Sequence, residues 1–475
     1  MRLFDDGRLD RLRDAILRAL PAVLFVASVC FGSVIYGIVA DHFQIFPYPL
    51  VKRAVTAGNV VWEHFSDPSP AMNLLDVTAI DANAVRSHRI TPVADVSMPE
   101  RYLLLGGPGQ YLEYCPKLGC LAVVLNRDGS LVHVYPYRPR ELLQKMISSR
   151  PYEQIFYDDE QDIFPVGALQ LADGGLIVSF MRRNSFPFSG GIARVAKDGS
   201  VLWYRQDYAG HWPAWVGGDE VAITASDVRK GPLRVTIKDG VGFTLICDTM
   251  YDDQVEIVDL NGKIRDQFSV LDSLAHSRFR EVLTGNVKNC DPLHMNYVSP
   301  IGAELSAQVP GTAAGDLLVS LNAISAFGIV GRHDHRFKAL IRGSFARQHN
   351  VQPIGGTKVI MFDNWGRDAG GEPSRVLELD LATHSERTLF PGPQTPRGIR
   401  IFNAFAGHID VSADAQRAVL ALTEMGQGYE FELATGRVLT KFDNVFDMRP
   451  VPGFDDGRDK GMARRFQIFG AYYAR

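Results

Sequence analysis

Four histidines stand at the same phase of four strand-like runs: His211-Trp212-Pro213-Ala214, His294-Met295-Asn296-Tyr297, His349-Asn350-Val351 and His408-Ile409-Asp410-Val411. They are 83, 55 and 59 residues apart. Near neutral pH an imidazole serves as nucleophile, general base or metal ligand. Neighbouring Asn, Gln and Asp side chains, among them Asn296, Asn350 and Asp410, can fix ring tautomers by hydrogen bonding. If each interval holds one sheet-sized unit and the units are wedges around an axis, equivalent positions meet near that axis. The four rings then line one pocket. The plainer alternative is that a histidine at a repeat phase pins its inner strand to the next unit.

The elements that would position these residues are hairpins. Leu121–Leu125 runs into Arg127-Asp128-Gly129 and then Leu131–Tyr135, and Ala168–Leu171 into Asp173-Gly174-Gly175 and then Leu176–Phe180. Ile192–Val195 is followed by Asp198-Gly199, Val255–Val258 by Asn261-Gly262, and Tyr429–Leu433 by Thr435-Gly436. Glycine supplies the positive φ that tight turns between strands require. Hairpin-built self-similarity at roughly 40–60 residues indicates a propeller, whose blades bury their faces only by stacking in a ring. The predicted fold class is all-β: a six-bladed β-propeller over residues 101–475, with blades starting near Arg101, Pro165, His211, His294, His349 and His408. Long insertions fall in the third and fourth units, and Arg140 to Ser149 reads as a helical insertion. No WD dipeptide or kelch double glycine recurs at this period.

Ahead of the repeats, residues 19–40 carry no charge across 22 positions. About 20 apolar residues span the hydrocarbon core. Arg2, Arg8, Arg11, Arg13 and Arg18 precede this stretch, whereas Asp41 follows it directly. The positive-inside bias therefore predicts residues 1–18 in the cytoplasm, 19–40 as an uncleaved single-pass inner-membrane anchor, and the propeller in the periplasm. Residues 41–100 read as a neck or linker. Phe43, Phe46 and Tyr48 suit the membrane interface, and Leu50 to Phe65 can form an amphipathic helix. Such a neck is a place for homo-oligomerisation or for a membrane protein partner.

The 475 residues are 46% hydrophobic and 22% charged, as in an ordinary folded protein. A net charge of −4 with pI near 6.3 excludes nucleic acid as the main partner, because neutralising phosphates needs a basic surface. Cys115 and Cys120 bracket the turn-like Pro116-Lys117-Leu118-Gly119 and form the disulfide candidate. Cys247 and Cys290 read as single buried thiols. No CxxC pair, HExxH or GxSxG elbow is present. Several histidines around an axis can bind zinc or copper, but with no ligand motif at short spacing no metal site is assigned. Arg332-His333-Asp334-His335-Arg336 reads as a surface turn. Among arginines able to hold a sulfate or phosphate, Arg332, Arg342, Arg347 and Arg397 stand out, with Arg342 favoured because it lies between the His294 and His349 units.

Three stretches carry a resemblance: Asp291-Pro292-Leu293-His294-Met295-Asn296, the run Asp316-Leu317-Leu318-Val319-Ser320-Leu321, and Gln348-His349-Asn350 followed by Phe362-Asp363-Asn364. In them the chain resembles the arylsulfotransferase (aryl-sulfate sulfotransferase) family of bacterial propellers, from about residue 101 to 450. The resemblance implies a six-bladed propeller with its site in the central channel. It implies sulfuryl transfer from an aryl sulfate to a phenol, with no nucleotide donor and no cofactor. It places the nucleophile at His349, with His294 and His211 binding sulfate or moving protons. Arg342, Asn296, Asn350 and His408 are the expected substrate-binding residues. Where active relatives place Arg-His after the strand serine, this chain has Leu321-Asn322-Ala323. The alternative is a non-catalytic, membrane-anchored propeller that binds a ligand or a protein partner.

Overall fold

The structure is a computed structural model of the protein. It describes residues 17, 19–22, 24–36, 85–94, 100–105, 120–147, 163–182, 189–238, 241–366, 374–399, 401–423, 425–447, 464–465 and 468–475. Two compact units divide the chain, Met1–Pro70 and Ala71–Arg475. In the first, the helix Ala19–Tyr36 is long and apolar enough to cross a membrane. Its Leu24, Phe25 and Phe31 side chains are exposed, and Cys30 within it is a free thiol. The aromatic residues and helix expected in residues 43–65 lie outside the described residues.

The second unit is a six-bladed β-propeller. Blade I consists of Gly470–Tyr473, Arg101–Leu105, Cys120–Asn126 and Leu131–Pro136, from the axis outward. Blade II runs through Ile163–Gln170, Leu176–Arg182, Ser189–Val195 and Val201–Arg205. Blade III holds Ala214–Gly217, Glu220–Lys230, Thr249–Asp259 and Ile264–Ser269. Blade IV holds Met295–Pro300, Leu317–Leu321, Ala326–Val330 and Phe337–Ile341. Blade V holds His349–Pro353, Lys358–Asp363, Arg375–Asp380 and Ser385–Phe390. Blade VI holds His408–Val411, Arg417–Leu422, Gln427–Glu432 and Val438–Asp447, with Val85–Pro92 added at its outer edge. Arg101 thus opens the second strand of blade I; the strand nearest the axis comes from late in the chain.

The turns behave as the sequence predicts. At Arg127-Asp128-Gly129, Asn126 N–H donates to Ser130 O at 2.9 Å and Gly129 has φ +84°. A three-residue loop ending in a left-handed residue closes such a hairpin, and glycine takes that conformation without a Cβ clash. The helix Pro139–Gln144 occupies the predicted insertion after blade I.

Each blade is buried on both faces, which accounts for the unbroken apolar runs. Leu103 and Leu105 pack toward blade II, while Tyr102 and Leu104, one residue out of phase, pack toward blade VI. Likewise Leu317, Val319 and Leu321 face blade III, and Leu318 faces blade V. An alternating strand with one wet face would read polar at every second position; these do not. Fully burying each such side chain contributes about 1.5–3 kcal/mol. The seam where the ring closes also holds a buried carboxylate. Glu430 accepts from Tyr102 Oη at 2.7 Å and from Arg127 Nη2 at 2.6 Å, and Arg417 Nη1 lies 3.3 Å away.

Two cysteine expectations meet different outcomes. Cys247 and Cys290 are not single thiols: they form a disulfide across 43 residues, with Cα atoms 5.5 Å apart. The segment between them contains the rest of blade III, the helix Val270–Ala275 and the turn Arg280–Asn286, so chain separation hid a pair that the fold brings together. Cys120 is disulfide-bonded, whereas its predicted partner Cys115 lies outside the described residues.

Candidate functional site

Each of the four histidines stands at the start of the innermost strand of its blade. His349 and His408 are first residues of the inner strands of blades V and VI, His294 immediately precedes that of blade IV, and His211 that of blade III by three residues. Three of them meet. The ring centroids of His211 and His294 are 5.6 Å apart, and His349 is 6.5 Å from each. One ring nitrogen from each lies within 4.8 Å of the others.

Local chemistry fixes how these rings are presented. The amide nitrogen of Asn364 donates to Asn403 O at 2.7 Å and to Ala406 O at 2.8 Å. Its oxygen therefore faces His349 Nδ1, at 2.7 Å, and Nδ1 must carry the proton it donates. Nε2 is left with the lone pair. At His294, Nδ1 pairs with Asp291 Oδ2 at 2.5 Å, so there too the lone pair stays on Nε2. His294 has φ +49°, a left-handed conformation that histidine tolerates better than most side chains. His211 is held through its backbone: Ser179 Oγ donates to its carbonyl oxygen, and Gly167 packs so closely that a Cβ there would stand 2.7 Å from Trp212 Cα.

Burial keeps the His349 and His211 rings neutral. It lowers His349 to about 3; the Asn364 hydrogen bond opposes the fall, the His294 charge adds to it, and Arg347 acts both ways, its backbone hydrogen bond opposing and its charge lowering. His211 is pushed well below the usual imidazole range by burial, then by its two imidazole neighbours. Both are nearly inaccessible, whereas 26% of the His294 side chain is exposed. A cleft beside His211 and His294, also lined by Thr224, Tyr251 and Asp253, is too narrow to admit a water molecule.

His408 lies apart from this group. Trp212 stands between, its ring 6.3 Å from His349 and 5.3 Å from His408. On the far side His408 lines a separate cavity of about 340 Å³ with Trp212, Tyr297, Asp410 and Tyr472. Asp410 accepts from Tyr473 N–H at 2.8 Å, and burial raises its carboxyl to about 6.

The two asparagines act at blade seams. Asn296 Nδ2 donates to Gln348 O at 2.8 Å, tying blade IV to the lead-in of blade V. Asn350 Oδ1 accepts from Ile409 N–H at 2.9 Å, tying blade V to blade VI. Arg342 spends its guanidinium on Ile324 O, to which it donates at 3.1 Å. Arg332 is bound to Asp266 and Glu220, and Arg397 is exposed.

Arg347, two residues before His349 in the chain, adds a positive charge that lowers the His349 imidazole. Its Nη1 donates to Asn322 Oδ1 at 3.3 Å, and Asn322 Nδ2 in turn donates to Arg347 O at 2.8 Å and Gln348 O at 3.2 Å. Asn322 is thus the seat on which Arg347 rests its guanidinium. Sequence reasoning ranked Arg347 below Arg342; its place directly before Gln348-His349 was the signal that could have promoted it. Asp253, which accepts from Met295 N–H at 3.1 Å, was not singled out, and nothing in its local sequence marks it.

No protein-family model and no curated protein matches the chain. Solved structures similar to it include a Bacteroides caccae protein of unknown function, at 12% identity and a TM-score of 0.42, covering 79% of this chain and 99% of that one. TolB from Acinetobacter baumannii is similar at 11% identity and a TM-score of 0.39, covering 79% of this chain and 66% of its own. At these scores the likeness carries no inference about function.

Proposed function

We propose that the chain is a propeller of the arylsulfotransferase type that moves a sulfuryl group from an aryl sulfate to a phenol through an adduct on His349. The observation that carries this reading is a neutral, tautomer-fixed imidazole that feels a guanidinium charge: Asn364 holds Nδ1–H of His349, and Arg347, docked on Asn322, lowers the ring by its charge. Nε2 attacks sulfur and the S–O bond to the aryl leaving group breaks, giving an N-sulfo imidazole and a phenolate. The acceptor phenol then attacks sulfur, its proton passing to a neighbouring imidazole, and the N–S bond returns its electron pair to His349. A covalent adduct splits one displacement into two, and cations on the equatorial oxygens stabilise the developing charge. His294, with the exposed edge, is the side from which the donor approaches. The helix Ala19–Tyr36 anchors the protein in the inner membrane with the propeller in the periplasm, a placement supported by the arginines that precede it.

The test is turnover by purified full-length protein of a chromogenic aryl sulfate with a phenol acceptor, followed by a search for one added sulfuryl group on the His349 peptide. Turnover lost in His349→Gln supports the reading. A second reading, a propeller that binds without catalysis, is favoured by the narrowness of the cleft beside His211 and His294. Folded protein that turns over none of a panel of aryl sulfates decides for that reading.

A further inference from the structure

We propose that His211, His294 and His349 together bind a divalent first-row transition metal ion, zinc foremost, and that the ion-bound protein is closed to sulfuryl transfer. The binding half goes beyond the proposed function and does not depend on it; the closure half rests on that function.

The donor set fits on several independent counts. The three ring nitrogens lie within 4.8 Å of one another, so some point lies no more than about 2.8 Å from each. Zinc binds imidazole nitrogen at about 2.0–2.1 Å. Drawing the rings in by less than an ångström therefore completes a three-histidine site, a motion within the reach of side-chain torsions. The rings come from three different blades, so the site spans three seams of the wheel.

The surroundings have the form that metal-binding imidazoles use. A ligating histidine usually donates its other N–H to a carboxylate or carbonyl, which orients the ring and raises its basicity. His294 has Asp291 in that role and His349 has Asn364. Tris-imidazole donors suit zinc, copper and nickel, and not magnesium or calcium, which take oxygen.

Space and polarity point the same way. The cleft beside His211 and His294 admits no water, but an ion seated between the nitrogens needs no such room. Thr224 Oγ1, in the wall of that cleft, is buried without a hydrogen-bond partner, and Thr224 is only 4% exposed. The Asp291 carboxylate, already paired with His294, lines the same cleft and offsets part of the charge of a dication.

Metal occupancy and transfer compete for the same electrons. A lone pair on His349 that is shared with zinc cannot attack sulfur. Protein carrying the ion should be silent in transfer, and a chelator should restore it.

The experiment uses full-length protein in detergent, stripped with a chelator. Zn²⁺ is titrated by calorimetry, and Co²⁺ by visible absorption. One ion per chain is expected, with the intense d–d bands of a four-coordinate site, displaced by Zn²⁺. His349→Gln and His294→Asn should each weaken binding at least tenfold, and Asp291→Asn, which only orients a ligand, about 10–100-fold. His384→Asn, on the surface, should leave it unchanged. His294→Asn is the deciding variant should His349→Gln fail to fold, because its side chain is partly exposed and asparagine accepts its positive φ. Weak, multiple binding that is the same in wild type and His294→Asn overturns the site. Full transfer activity at saturating Zn²⁺ overturns the closure half alone. Transfer absent with and without the ion removes the proposed function and the closure half together, while the titration still decides the site.

Discussion

His349 makes the proposed chemistry measurable without a substrate. Its imidazole is neutral in the fold, lowered by burial to about 3, and protonates near 6.5 once the chain unfolds. The unfolded chain therefore binds one more proton than the folded one between these values, and stability rises with pH across that window. The His349 contribution is complete above about pH 6.5 and is lost as pH falls toward 3. Between pH 8 and pH 5 the linkage amounts to about 2 kcal/mol for this one ring. Other buried groups titrate as well. His408 moves in the same sense as His349, while Asp410, raised to about 6, works the opposite way. These cancel when wild type is compared with His349→Gln in which everything else is retained. Urea unfolding of metal-free protein, followed by circular dichroism at pH 8 and pH 5, should show wild type losing about 2 kcal/mol more than the variant. Equal losses in the two proteins would mean that His349 is not held neutral by its surroundings, and the argument for a ready nucleophile would fall with it.

Other expectations can be tested alongside. Cys247→Ser should lower unfolding stability by up to about 4 kcal/mol, read by urea unfolding, because the bond closes a loop of 43 residues. Gly167→Ala should cost about 1–3 kcal/mol by overpacking against Trp212, and should disturb the His211 turn enough to lower transfer more than stability alone accounts for. Glu430→Ala should destabilise by about 3–5 kcal/mol, read as a fall in Tm, since it leaves Arg127 and Arg417 facing each other in a buried seam. Asn322→Ala should reduce kcat in the aryl sulfate assay with little change in Tm, because Arg347 loses its seat while most of the seam remains.

The wheel itself was legible in the sequence because hairpin turns announce themselves locally. Asp128-Gly129 and Asp173-Gly174 fix where strands end, and runs such as Leu121–Leu125 are apolar at every position because both faces are covered. The start of each inner strand could be read from its histidine for blades III to VI. Blade I could not, since its inner strand is Gly470–Tyr473, some 370 positions from its sheet neighbours in the numbering. The site was legible in part for the same reason. A shared phase brought His211, His294 and His349 together, but phase is blind to what stands between. Trp212 diverts His408 into another cavity, and the pair Asn322–Arg347 joins two blades by a contact that no spacing rule encodes. The disulfide between Cys247 and Cys290 was missed because two cysteines 43 residues apart give no local sign of proximity.

The inner strand of blade I is made hundreds of residues after the strand it pairs with. During synthesis, Arg101–Leu105 therefore waits with a bare hydrogen-bonding edge until Gly470–Tyr473 emerges. An unpaired edge of that kind invites pairing with a second chain. Biogenesis of this protein thus has a vulnerable interval that lasts nearly the whole of translation, and factors that shield nascent β-edges should matter more to its yield than to that of a protein whose sheets close in the order they are made.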